Sequence, residues 1–239
     1  MRTIIASLLI VSSPASYAYT CTSFAINTEG YLATAGHCVG EGKNFVVHIS
    51  GKNYPAVLVA ADLSHDVAVV KIDAKISNPY KLSTINQIGK NDFILGFPVP
   101  QYLGTSLKIH NINVIGEEKA EYIYKNGDVG VFPGDKLPGL NFIWVTRGLT
   151  CGGNSGGPLV DGFGLAVGIT SYGTEGYSSC SYRGGMVKIV KLVELLEANY
   201  ISYTIGDIST TSKTRSQIKE EGQTKIGRAS CRERVYVLV

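Results

Sequence analysis

Short apolar segments, each closed by Gly, Asn or Pro, recur along the chain and restrict its fold more than any other feature. The first series is Ser23–Asn27, Tyr31–Ala35, Phe45–Ile49, Ala56–Ala60 and Val67–Ile72. A second runs near Ile94, then Leu107–Ile115, Tyr122–Tyr124, Phe142–Thr146, Leu159–Asp161, Leu165–Ser171 and Met186–Ile189. Runs of this length, rich in Val, Ile and aromatics and bounded by turn formers, read as strands. So many short strands predict an all-β protein, a sandwich or a barrel. Only Val190–Asn199 has helical spacing, with Leu192, Val193, Leu195 and Leu196 interleaved by Lys191, Glu194 and Glu197. The polar stretch Lys75–Asn91 separates the two series and predicts an inter-domain connection. The Gly/Pro-rich Asn126–Leu140 predicts a long surface loop.

The N-terminus reads as a secretory signal peptide, residues 1–18. Arg2 precedes the apolar run Ile4 to Val11, and Ser16-Tyr17-Ala18 meets the small-x-small cleavage rule. A membrane anchor needs roughly 20 apolar residues, and this run is shorter. The expectation is a soluble protein, secreted or periplasmic. Export permits disulfides, and the five cysteines, 21, 38, 151, 180 and 231, leave one over. Residues 201–239 form a polar tail, and from Ser209 the lack of periodicity predicts disorder. Its stretch from Lys225 to Val235 resembles the translation of a sequencing-adapter oligonucleotide, so the end of the chain is expected to be an artefact. The formal net charge of +3 is misleading about partners. The tail from Ser209 carries seven Lys/Arg against three Asp/Glu, and Arg2 lies in the signal peptide, which leaves −2 for the body. That balance gives no basis for nucleic-acid or anionic-membrane binding.

Chemistry concentrates in Cys151-Gly152-Gly153-Asn154-Ser155-Gly156-Gly157-Pro158-Leu159. Two glycines on each side of one hydroxyl allow backbone angles closed to other residues and a close approach to the main chain. A plain Gly-rich turn is the alternative. A serine hydroxyl becomes a useful nucleophile when a base takes its proton and an acid orients that base. All four histidines, 37, 48, 65 and 110, precede Ser155. This order excludes the nucleophile elbow of α/β-hydrolases, where the histidine follows. The subtilisin order needs an Asp before the base, and the first Asp after His37 and His48 is Asp62. With His37 as base, the order His-Asp-Ser remains. The cysteines lack CxxC spacing, which argues against a structural zinc site.

Thr34-Ala35-Gly36-His37-Cys38, His65-Asp66-Val67-Ala68-Val69-Val70 and Gly-Asn-Ser-Gly-Gly-Pro together resemble the chymotrypsin-like (trypsin-fold) serine proteases, over roughly Cys21 to Asn199. The resemblance implies two six-stranded β-barrels with the site between them and a C-terminal helix. It places the protease domain at 19–200, with barrels of about 19–85 and 86–200. It implies a catalytic triad of His37, Asp66 and Ser155, with Ser155 the nucleophile, His37 the base and Asp66 the orienting acid. The oxyanion hole falls on the N–H groups of Gly153 and Ser155, and the disulfides on Cys21–Cys38 and Cys151–Cys180. Asp62 and Asp73 bracket the same strand, and the alternative for Asp66 is a solvated strand-entry residue; the adjacent His65 is taken as a bystander.

Substrate-binding positions carried over are Leu149, Thr150, Ser171, Tyr172, Gly173 and Gly184. Leu149, at the floor of the primary pocket, offers no partner for a buried Lys or Arg. Arg183 leaves an acidic preference open, and an apolar or medium-sized side chain is the expectation. Asn154 stands where many members carry an Asp that pairs with a new N-terminus, so activation by N-terminal insertion is not expected. The implied function is a secreted serine endopeptidase. It acts as a monomer on protein or peptide substrates, without cofactor or metal and without a nucleic-acid or membrane partner. A non-catalytic binding module or an esterase on the same fold is the alternative.

Overall fold

A computed structural model describes residues 19–39, 45–84, 92–98, 106–118, 123–125, 128–136, 143–173, 180–206 and 212–231. Residues 1–18, expected as a signal peptide, and the end of the adapter-like stretch lie outside these residues. The strands are β1 Tyr19–Ala25, β2 Tyr31–Ala35, β3 Phe45–Ile49, β4 Lys52–Asp62, β5 Val67–Ile72, β6 Asp92–Gly96, β7 Lys108–Glu118, β8 Ile123–Lys125, β9 Asp128–Lys136, β10 Ile143–Cys151, β11 Pro158–Val160, β12 Ala166–Gly173 and β13 Cys180–Lys188. Helix α1, Ile189–Ala198, follows; then come helix α2, Arg215–Lys225, and strand β14, Ile226–Cys231.

Two closed antiparallel barrels result, in the orders β1-β14-β3-β4-β5-β2 and β10-β13-β12-β11-β6-β7. The all-β expectation of two six-stranded barrels and a C-terminal helix is met. β2 and β5 pair in register from Tyr31↔Lys71 to Ala35↔Val67, which brings the segments that follow Ala35 and precede Val67 side by side. Phe24, Leu32, Val47, Val69 and Ile72 fill the first barrel, and Ile94, Ile112, Leu159 and Met186 the second. Helix α1 buries Ile189, Leu192, Val193 and Leu196.

Three segments depart from the sequence reading. Part of the stretch expected as a loop, Asn126–Leu140, forms β9, which pairs with β8 in a two-stranded sheet. The stretch expected as a connection is packed where it is described: Tyr80 and Leu82 are buried, and Leu82 N–H donates to the Thr204 carbonyl at 2.8 Å. Tyr80 meets Phe24 edge-on at 5.7 Å between ring centres.

The third departure lies in the tail. Instead of disorder after Ser209, α2 is held by a capping box between Thr214 and Gln217 and β14 pairs with both β1 and β3. The physical reason is the sheet edge: without a sixth strand, β1 and β3 would leave rows of unpaired backbone groups. Ile226 and Ala229 are buried. The first barrel therefore takes its closing strand from beyond residue 200.

Candidate active site

Each chemical group sits where a regular element gives way. β2 ends at Ala35, and a single 3-10 turn, Gly36–Cys38, carries His37. A Cβ on Gly36 would lie 3.1 Å from the backbone of Asp66, so glycine lets the two segments touch. A second 3-10 turn, Leu63–His65, ends at Asp66 in the left-handed region, φ 54 and ψ 44. Asp is among the few residues other than Gly that tolerate this conformation.

The result is a buried ion pair. The Asp66 carboxylate accepts the backbone N–H of His37 at 2.8 Å and faces His37 Nδ1 at 2.9 and 3.0 Å. It also accepts the hydroxyl of Ser171. Ser171 occupies the irregularity in the β12–β13 ladder between Thr170 and Tyr172, where the pairing register shifts. Burial disfavours the charged imidazolium, but the charge of Asp66 and its hydrogen bond outweigh that, so His37 titrates above the ordinary histidine value.

The nucleophile loop comes from the other barrel. Cys151-Gly152-Gly153-Asn154 forms a turn closed by Asn154 N–H to the Cys151 carbonyl at 3.0 Å. Its third residue, Gly153, sits at φ 90, which only glycine adopts readily. The Asn154 side chain, fully buried, accepts the Cys151 N–H at 2.9 Å. Asn154 thus orders the loop by a neutral hydrogen bond. Gly156 and Gly157 donate their N–H groups to the carbonyls of Thr170 and Asn154. Among the described residues, the N–H groups of Gly153 and Ser155 have no acceptor.

Ser155 Oγ donates to the Ser171 carbonyl at 3.2 Å. No hydrogen bond joins it to His37 among the described residues. Ser171 therefore links both sides, its hydroxyl on Asp66 and its carbonyl on Ser155.

The remaining expected site residues fall around this centre. Leu149 is half-buried in a bulge of β10 between Arg147 and Thr150. Thr150 is buried with its hydroxyl unpartnered among the described residues. Gly184 faces it: a Cβ there would lie 2.9 Å from Thr150 Oγ1 and 2.7 Å from the Tyr172 carbonyl. Tyr172 and Gly173 pair with Gly185 and Gly184. Arg183 is exposed. Cys21–Cys38 and Cys151–Cys180 are disulfide-bonded.

Cys21, His37 and Cys38 lie close enough to surround an ion. With both sulfurs in a disulfide, the cluster offers no thiolate to a metal. His48, at 2.8 Å from Asn53, and His110 lie within β3 and β7. The residue that sequence reading missed is Thr22, whose contacts with the loop are described below. No local signal marks a threonine in a strand.

A family model described as a trypsin-like peptidase domain matches residues 21–169. The chain belongs to the trypsin-like peptidase family. Among its relatives, the serine endoprotease DegS of Haemophilus influenzae is 29% identical over 147 residues, 61% of this chain and 39% of that protein. A probable periplasmic serine endoprotease DegP-like of Ectopseudomonas mendocina is 25% identical over 182 residues, 74% of this chain and 35% of that one. This trypsin-like chain spans about a third of the length of the curated relatives it matches. The active form of the Rv3671c protease from M. tuberculosis superposes with a TM-score of 0.59 at 17% identity, covering 80% of this chain and 85% of that one. The HtrA-type protease AlgW with a decapeptide gives 0.57 at 22% identity, covering 74% and 50%. At these identities the two structures speak to the fold of the trypsin-like domain.

Proposed function

We propose that the chain is a serine endopeptidase that cleaves peptide bonds through His37, Asp66 and Ser155. The observation that carries the reading is the buried Asp66 carboxylate gripping both the backbone N–H and Nδ1 of His37. That grip favours the tautomer in which His37 Nδ1–H donates to the Asp66 carboxylate, which leaves Nε2 as the basic nitrogen.

In the first step, a rotation about the Ser155 side chain exchanges the Ser171 carbonyl for His37 Nε2. Catalytic hydrogen bonds often form only in the substrate complex. Oγ attacks the scissile carbonyl, its proton passes to Nε2, and the carbonyl oxygen becomes an oxyanion. The unpaired N–H groups of Gly153 and Ser155 receive it. Collapse expels the amine, which takes the proton from Nε2, and leaves an acyl-enzyme. Water then repeats the sequence and frees Ser155.

Peptides are favoured as substrates by β12. Its pairing with β11 ends at Ile169↔Pro158, and Ser171–Gly173 runs on beside β13 as the segment that the family resemblance matches to substrate-backbone pairing. An extended substrate adds there as a strand. The peptide complexes solved for AlgW lend support. Leu149 and the Thr150 hydroxyl favour a medium-sized side chain over Lys or Arg.

Residues 1–18 are read as a signal peptide, and secretion or a periplasmic location follows from it; the DegP-like relatives described as periplasmic fit this placement. No helix of the described residues is long and apolar enough to cross a membrane.

The test is cleavage of a peptide library and of matched esters by wild type and Ser155→Ala. Turnover of peptides should fall by about 10⁶-fold in the variant. Undiminished peptide cleavage by Ser155→Ala overturns the proposal, and cleavage of esters alone replaces it with an esterase.

A further inference from the structure

Thr22 lies in the middle of β1, in the first barrel, yet two of its polar groups, the backbone N–H and the hydroxyl, serve the nucleophile loop of the second. Its backbone N–H donates to the Ser155 carbonyl at 2.8 Å. Its hydroxyl donates to the Gly153 carbonyl at 2.7 Å. The same oxygen accepts the Phe97 N–H at 2.9 Å. Because Phe97 N–H can only donate, the threonine proton is committed to Gly153. The Thr22 carbonyl accepts the Thr34 hydroxyl at 2.8 Å, which fixes the strand itself. Thr22 is fully buried, so no water competes for these bonds.

The pattern of anchored peptide planes gives these bonds a purpose. The 153–154 plane is held at both ends, its carbonyl by the Thr22 hydroxyl and its N–H by Cys151. The 155–156 plane is likewise held, its carbonyl by Thr22 N–H and its N–H by Thr170. Between them, the 154–155 carbonyl accepts from Gly157 N–H, which turns the Ser155 N–H to the opposite side. Only the 152–153 plane lacks an anchor of its own among the described residues. Its orientation relative to its neighbour is set by φ and ψ of Gly153, which a glycine can change at little cost. Rotating that plane withdraws the Gly153 N–H from the site.

We propose that Thr22 is a positioning residue for the oxyanion hole: its hydroxyl fixes the 153–154 plane against which the Gly153 N–H is aimed. The inference rests on the peptidase reading. Thr22 touches no reacting atom, so its loss should weaken binding of the developing oxyanion while leaving ground-state binding alone.

The experiment compares wild type, Thr22→Val and Thr22→Ser on one quenched-fluorescent peptide selected on wild type from the library above. Thr22→Val should lower kcat by about 10- to 100-fold with KM within about twofold, less than the loss of an oxyanion donor itself. Thr22→Ser, which keeps the hydroxyl, should recover to within about threefold of wild type. The matching peptide aldehyde adds the Ser155 O–H across its carbonyl and places an oxygen in the hole. Its affinity should fall in parallel with kcat. Thr22→Ala makes the same deletion in a smaller side chain, so the comparison with Thr22→Ser stands whichever of the two folds. An unchanged kcat and aldehyde affinity in the deletion variants overturns the inference, as does a loss that Thr22→Ser fails to recover. Failure of the underlying reading looks different: wild type itself turns over no peptide, and the oxyanion role falls with it.

Discussion

Residues 65 and 66 are neighbours, and each belongs to a histidine–carboxylate pair: His65 holds Asp62 at 2.5 Å, and Asp66 holds His37 at 2.9 Å. The first pair is local, three residues apart within one turn and open to solvent, and Ser64 donates to the same carboxylate. The second is buried and joins segments brought together by the β2–β5 ladder. Burial raises the pKa of the Asp62 carboxyl, but its hydrogen bonds from Ser64 and His65 lower it further, to a net value below the usual range. In the buried pair the charge and hydrogen bond of Asp66 raise His37 above the ordinary histidine value. A histidine beside a carboxylate is therefore ordinary; what matters is whether the fold withholds water and leaves Nε2 facing a nucleophile. Asp62 caps its own turn, whereas Asp66 ends one in a left-handed conformation that aims its carboxylate at another strand.

The contrast is sharpest under substitution of the acids. Asp66→Asn should lower kcat/KM by about 10⁴-fold, the scale known for the equivalent change in trypsin, because the amide favours the wrong imidazole tautomer. Asp62→Asn should change kcat/KM by less than about threefold. Equal losses in a steady-state assay would erase the distinction.

A smaller effect is expected in the pH profile. The base must be neutral, and His37 titrates above the ordinary value, so kcat/KM should fall as pH drops through a pKa higher than about 6.5. His65→Gln should leave that limb in place. A limb that moves with His65 assigns the titration to the wrong pair. Stability runs the other way at the same residue. A histidine raised on folding stabilises fully below its unfolded pKa of about 6.5, and the contribution is lost as pH rises through the folded value. Thermal melts of Ser155→Ala across that window should show Tm declining with pH, and His37→Gln in the same background should flatten the slope.

The smallest effect belongs to the half-buried cap. Asp62→Ala should cost no more than about 1 kcal/mol in denaturant melts, since the pair is screened by solvent. A larger loss would mean that the turn before Asp66 is held mainly by its cap.

Sequence periodicity located the strands because most bury their residues against neighbours close in the chain. Tyr31–Ala35, Phe45–Ile49 and Val67–Ile72 run between the residues their composition suggests. Chain order leaves His-Asp-Ser once His37 is taken as the base, and the choice of His37 and Asp66 rests on the family resemblance. Helix α2 was illegible for a different reason: it buries only Ile218, Gly222 and the stem of Lys225, so its amphipathic signal is nearly absent. Lys225 reads as a solvated charge, yet it lies over the Tyr80 ring at 4.8 Å and pairs with Glu221 at 3.3 Å. β14 depends on partners about two hundred residues away, which no local window contains. Thr22 fails by the same rule, since its meaning lies in carbonyls more than a hundred residues distant.

Cys21 and Thr22 are consecutive in β1. The disulfide of Cys21 grips Cys38, next to His37, and Thr22 grips Gly153 and Ser155. Successive side chains of a strand point to opposite sides, so one peptide link is tied to the base on one side and to the nucleophile on the other. The disulfide lies within the first barrel, so what ties the two barrels together at this point is the set of buried hydrogen bonds from Thr22 to Gly153 and Ser155. A change in the spacing of base and nucleophile therefore has to pass through β1, where it is opposed by buried bonds on both faces of a single strand.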